Sequence, residues 1–178
     1  MQRAETDVAA EEEMGLINAF GMYWSRSDVF WEAGQVSLLG EQQAGSEPVD
    51  FREQAGIYLL YDGNKIVYVG RVTEPRMGAR LREHTRDRHK SRWDRFSWFG
   101  VRSVDDPGRL APVCTESISI KTLIATMEAL LIEGLEPPQN RRQDDGFNAV
   151  EFTQMTDPKV EMQLQQNMLD QLQRKLRN

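Results

Sequence analysis

Two apolar runs rich in strand-forming residues, GIYLLY at 56–61 and KIVYVG at 65–70, are separated by the polar turn residues Asp62, Gly63 and Asn64. Two β-rich runs around turn residues predict a hairpin. A three-residue loop would pair Tyr61 with Lys65 and set Tyr58 directly opposite Tyr68, so that both phenols share one face. A two-residue loop would send them to opposite faces. FSWFGVRSV at 96–104 predicts a third strand, ended by a turn at DDPG, 105–108.

Helical spacing appears three times. MGARLREHTRDRH, starting at Met77, predicts a short basic helix with Met77 and Leu81 beneath it and Arg80 and His84, four apart, sharing a face. Residues 118–135 predict the most apolar helix, with a core stripe of Ile120, Ile124, Met127 and Leu131 widened by Leu123 and Leu130, and Pro137-Pro138 ending it. Val160, Leu164, Met168 or Leu169, Leu172 and Leu176 mark an amphipathic helix near the C-terminus. Residues 41–50 read as a connecting loop, and residues 1–15 as an acidic lead-in or weak helix. Residues 16–40 hold two of the four tryptophans and read as packed, but their mixed periodicity assigns no element.

At 178 residues the chain suits one compact domain with extensions. The divisions expected are an N-terminal extension over 1–50, a central domain over 51–145 and a C-terminal extension over 146–178. Cys114 stands alone, which excludes an internal disulfide and a cysteine-held zinc. No apolar run reaches the ~20 residues of a membrane helix, and the acidic start lacks the order of a secretory signal, so a cytoplasmic protein without a membrane partner is expected.

The formal charge of −6 would discourage a nucleic-acid partner if it were evenly spread. It is not: residues 71–102 hold ten Arg or Lys against four Asp or Glu, a local +6 that leaves −12 for the rest. Counterion release needs a basic patch rather than a basic protein. Arg71, Arg76, Arg82, Arg88, Lys90 and Arg92 are therefore candidate nucleic-acid contacts, with a solvated basic face as the plain alternative. Trp93, Phe96, Trp98 and Phe99, interleaved with Arg92, Arg95 and Arg102, are either base-stacking aromatics or core.

Gly56-Ile57-Tyr58 followed ten positions on by Tyr68-Val69-Gly70, then Arg80 and His84 on a helix, Glu128 in the next helix and Asn140 after Pro-Pro, resembles the motif series of the GIY-YIG nuclease superfamily across about residues 54–143. The resemblance implies an α/β (α+β) fold with a three-stranded antiparallel sheet flanked by helices, here with N- and C-terminal helical extensions. It implies an endonuclease that hydrolyses DNA or related phosphodiesters with Mg²⁺ or Mn²⁺ and leaves a 5′-phosphate and a 3′-hydroxyl. Its roles fall on Tyr58 and Tyr68 (positioning and deprotonating water), Arg80 (scissile phosphate), His84 (carrying a tyrosine's proton), Glu128 (the metal's one protein carboxylate) and Asn140 (a loop or water). Arg76 and Arg82 are the alternatives to Arg80, and which tyrosine is the base stays open. A catalytically inactive GIY-YIG-like module that binds nucleic acid or a protein is the competing function. The C-terminal helix either packs back on its domain or forms a homodimer.

Overall fold

A computed structural model describes residues 15–105, 108–113, 120–135 and 149–177. In chain order the elements are β1 (Ala19–Ser25), β2 (Leu39–Glu41), β3 (Val49–Asp50), β4 (Gly56–Asp62), β5 (Lys65–Val72), α1 (Met77–His84), β6 (Arg95–Gly100), β7 (Val104–Asp105), β8 (Arg109–Leu110), α2 (Ile120–Leu135), β9 (Val150–Glu151), β10 (Thr153–Gln154) and α3 (Pro158–Arg177). The fold is mixed α/β. Its main sheet runs β5-β4-β6-β1-β9, so it has five strands where three were expected. The expected three are there as β5, β4 and β6, paired antiparallel. The added strands come from the flanking sequence: β1 lies antiparallel to β6, and β9 parallel to β1.

Residues 19–50 and 150–157 are therefore not appended to a finished domain. Ala19, Trp24, Leu38, Val49 and Phe152 share one core cluster with Tyr58, Leu60, Phe96 and Trp98. The expected loop at 41–50 carries the β2–β3 pairing, Leu39 with Asp50 and Gly40 with Val49. Within 16–40 the structure gives strands rather than a helical extension.

Alternation along β4 separates two apolar layers. Tyr58 and Leu60 face the larger cluster, with Met77 and Leu81 of α1 covering it as expected. Leu59 and Tyr61 face the other side, with Ile17, Phe20 and Phe99, and Leu130 of α2 packs there. The two helices thus cover opposite faces of the sheet. Gly134 lets α2 lie close to the sheet: a Cβ there would stand 3.1 Å from Leu59 Cδ1. Small residues set this packing, since Thr126 and Ala129 are buried with it. Of the expected core stripe, Met127 and Leu131 are exposed, as is Leu123 beside them, while Leu130 packs on the sheet as expected. The side chains of Ile120 and Ile124, and Pro137-Pro138, lie outside the described residues.

Four β6-region aromatics settle as core. Trp93 is 4 % exposed and Phe96, Trp98 and Phe99 are 0 %, so none is available to stack on a base. Arg102 is also structural, giving hydrogen bonds to the carbonyls of Glu53, Leu110 and Ala111. The C-terminal helix forms at the expected place, and its apolar stripe of Met162, Leu164, Met168, Leu169, Leu172 and Leu176 is exposed. Only its first turn is tied to the other described residues, where Lys159 Nζ donates to the Gln35 carbonyl at 3.1 Å. Among the described residues no helix is long and apolar enough to cross a membrane.

Candidate active site

The hairpin delivers both tyrosines to one face by a different route from the one expected. Asp62 pairs with Lys65 around a two-residue turn, which alone would oppose the phenols. A bulge follows: the register passes from Tyr61↔Ile66 to Leu60↔Tyr68, leaving Val67 as the extra residue. The extra residue restores parity, and Tyr58 stands opposite Gly70, two pairs along from Leu60↔Tyr68 and so on the same face as Tyr68. The rings lie 6.1 Å apart, diagonal neighbours rather than a facing pair.

Two glycines of the paired motif have steric reasons. Gly56 sits at φ 150°, where a Cβ would lie 2.0 Å from the Phe99 carbonyl oxygen. Gly70 leaves room for the phenol across the sheet: a Cβ would stand 2.1 Å from Tyr58 Cζ.

The Tyr58 hydroxyl is the hub. Arg80 Nε donates to it at 3.1 Å, and it lies 2.7 Å from His84 Nε2. Arg80 and His84 reach it together because they are one turn apart on α1, which Met77 and Leu81 hold against the sheet. Tyr68 completes the group, its ring 4.9 Å from that of His84 and 4.9 Å from that of His89. Arg80 Nη1 also donates to Glu83 Oε2 at 2.6 Å, while the other oxygen of Glu83 takes Arg76 Nη2.

These contacts set the protonation states. Burial pushes the Tyr58 phenol up to about 12, although Arg80 pulls the other way. Burial also holds His84 below its ordinary value, against the pull of Asp87 toward the charged form. Glu83 and Tyr58 keep the Arg80 guanidinium firmly charged despite partial burial. At neutral pH the cluster is a neutral phenol, a neutral imidazole and a fixed cation.

Beside it runs a cleft of about 770 Å³ along the open edge of β5, lined by Tyr68, Gly70, Arg71, Arg76 and Arg80 among others. Tyr58 is 0 % exposed and lies against Gly70, whereas Tyr68 lines the cleft directly. Arg71 and Arg76 stand in the cleft as candidate phosphate contacts. Arg88, Lys90 and Arg92 are exposed in the turns after α1, outside the cleft lining. Arg82 belongs to neither group: its Nε donates to the Trp31 carbonyl at 2.8 Å, so it ties α1 to the N-terminal segment.

Glu128 is not brought to the cluster. It is exposed on α2, the helix on the opposite face of the sheet from α1, and is not among the cleft-lining residues. The carboxylate that does line the cleft is Glu74, which sequence reasoning missed because it precedes Pro75 in an irregular segment. Asp87 was missed too, and lies 2.7 Å through Oδ2 from His84 Nδ1. Asn140 lies outside the described residues. His84, Asp87 and His89 bring three ligand atoms within 4.8 Å of one another. Two imidazoles and one carboxylate suit a softer ion than Mg²⁺, which takes oxygen ligands. Compared with known proteins, the chain matches no family model, no curated protein and no solved structure.

Proposed function

We propose that the chain is an endonuclease of the GIY-YIG kind that hydrolyses phosphodiester bonds, with DNA as its substrate. One observation carries the reading: a guanidinium and an imidazole, one helical turn apart, meet on a single buried phenol beside a cleft lined by a second tyrosine and three arginines. A tyrosine on a strand needs no such partners merely to pack. The ordered motif series supports the reading independently.

Hydrolysis needs a water placed in line with the leaving oxygen, an acceptor for its proton, and charge against the phosphoryl oxygens. Arg80 is the charge, its planar fork matched to a phosphate. Tyr68, lining the cleft, orients the water. A phenol held near 12 is a poor resting base, so Tyr58 acts as a relay. As the water oxygen bonds to phosphorus, Tyr68 takes the water's proton and gives its own to Tyr58, which in turn gives its proton to His84 Nε2. The bond from phosphorus to the 3′ oxygen breaks, and that oxygen is protonated from solvent, leaving a 5′-phosphate and a 3′-hydroxyl. No charge settles on either phenol at any stage.

The Mg²⁺ or Mn²⁺ that the resemblance implies does not fit at Glu128 as placed, because Glu128 is exposed across the sheet from Arg80. Glu74 in the cleft lining is the carboxylate whose position suits such an ion. The ion would supply further charge against the phosphate.

Supercoiled plasmid with purified protein and Mg²⁺, Mn²⁺ or EDTA tests the reading. Nicking by the wild type and its loss in Arg80→Ala support it. A second reading, a module that binds nucleic acid without cutting, is favoured by the position of Glu128. Retention of plasmid without nicking in either metal would select it.

A further inference from the structure

A neutral imidazole has one N–H and one lone pair, on different nitrogens. The Asp87 carboxylate can only accept, and its Oδ2 lies 2.7 Å from His84 Nδ1, so the imidazole hydrogen sits on Nδ1. Nε2 is then the lone pair, and the Tyr58 hydroxyl 2.7 Å away donates to it while its oxygen accepts from Arg80 Nε at 3.1 Å. The second oxygen of Asp87, Oδ1, accepts from the backbone N–H of His89, also at 2.7 Å. Every hydrogen in the chain has one place to go.

The local fold holds that carboxylate still. Asp87 lies in the turn after α1, where its own N–H donates to the Glu83 carbonyl at 3.0 Å. Trp93 Nε1 donates to the His84 carbonyl at 3.2 Å and ties that turn to the core. His84 is 1 % exposed, so water does not compete for its nitrogens. The rival use of these residues, as ligands for a soft metal ion, would displace the hydrogen from Nδ1. It would also claim His89, whose Nε2 accepts from Arg88 Nε at 3.1 Å.

We propose that Asp87 is a positioning residue that locks His84 in its Nδ1–H tautomer, so that Nε2 faces Tyr58 ready to accept its proton. Once Nε2 has taken the proton, Asp87 faces the resulting imidazolium and balances its charge. When product leaves, the proton returns from Nε2 to Tyr58 and from there through Tyr68 to solvent, restoring the starting state. The part concerning rate rests on the nuclease reading above, and the part concerning the tautomer does not.

The test separates the two. Long-range ¹H–¹⁵N correlation of the histidine rings reports the tautomer in the protein without substrate. The wild type is expected to show His84 protonated at Nδ1 and bare at Nε2. Asp87→Ala and Asp87→Asn are expected to populate the Nε2–H form, and Asp87→Glu to recover part of the wild-type pattern. Plasmid cleavage by Asp87→Ala should fall by roughly 100-fold in kcat, the usual size of a lost acid–base contribution, with KM little changed. An Nε2–H tautomer in the wild type would overturn the proposal. So would an Asp87→Ala protein, folded by its thermal melt, that keeps both the wild-type tautomer and its rate. If no variant and no wild type cleaves DNA, the nuclease reading fails, and the ring spectra still decide what Asp87 does.

Discussion

A methyl group on Gly70 would stand 2.2 Å from the Tyr58 hydroxyl oxygen, the atom on which Arg80 and His84 converge. The glycine of the second motif and the tyrosine of the first are thus one steric unit across β4 and β5. Gly70→Ala forces Tyr58 off its partners. The expected result is a loss of about 1–3 kcal/mol in unfolding free energy from overpacking, with cleavage reduced more than stability. Denaturant melts and cleavage rates measured on the same preparation check this, and a variant with both unchanged would refute the packing.

His84 sets the pH response. Burial places its folded value below the ordinary 6.5, so the unfolded chain takes up a proton first as pH falls. The stabilising contribution is therefore present above the unfolded value and is lost as pH drops from there through the folded one. Cleavage should follow the same group, rising with pH on the acid side of 6.5 and staying level through neutrality. Stability and rate measured against pH in wild type and His84→Gln should show the acid limb in the first and not in the second.

Arg71 and Arg82 separate binding from structure. Arg71 lines the cleft, and Arg71→Ala should lower the slope of log affinity against log salt by about 1. Arg82 holds the Trp31 carbonyl, so Arg82→Ala should cost about 1–2 kcal/mol of stability and leave the salt slope alone. Fluorescence anisotropy at several salt concentrations, beside thermal melts, distinguishes them. Equal changes in slope would return Arg82 to the binding surface.

The two carboxylates offer a direct contest. As placed, Glu74 lines the cleft and Glu128 does not. Metal-dependent cleavage should weaken in Glu74→Gln and persist in Glu128→Gln. Abolition by Glu128→Gln in a folded protein would reverse the assignment, and would require α2 to bring that side chain around to the cleft.

The hairpin, α1, β6 and α3 were legible because their signals are local: turn residues between β-rich runs, and apolar spacing along a helix. Arg80 with His84 followed from spacing alone. What escaped depends on geometry that sequence does not print. The Val67 bulge changed how Tyr58 and Tyr68 come to share a face. In β1 a register shift between Gly21 and Trp24, with Tyr23 at φ 52°, breaks the alternation that would have marked a strand. On α2 the most apolar stripe does not mark the buried side, because Gly134 and Ala129 permit the closer approach and so define it. Asp87 lies past the end of α1, where only the turn decides that it meets His84.

Tyr58→Phe tests the central claim most directly, because it removes one oxygen and keeps the ring that fills the core. Single-turnover cleavage of an end-labelled DNA duplex, with binding measured in parallel, is the measurement. The account predicts a fall of roughly 100-fold or more in the cleavage rate, with affinity unchanged and the acid limb gone. Wild-type cleavage by a folded Tyr58→Phe protein would contradict it.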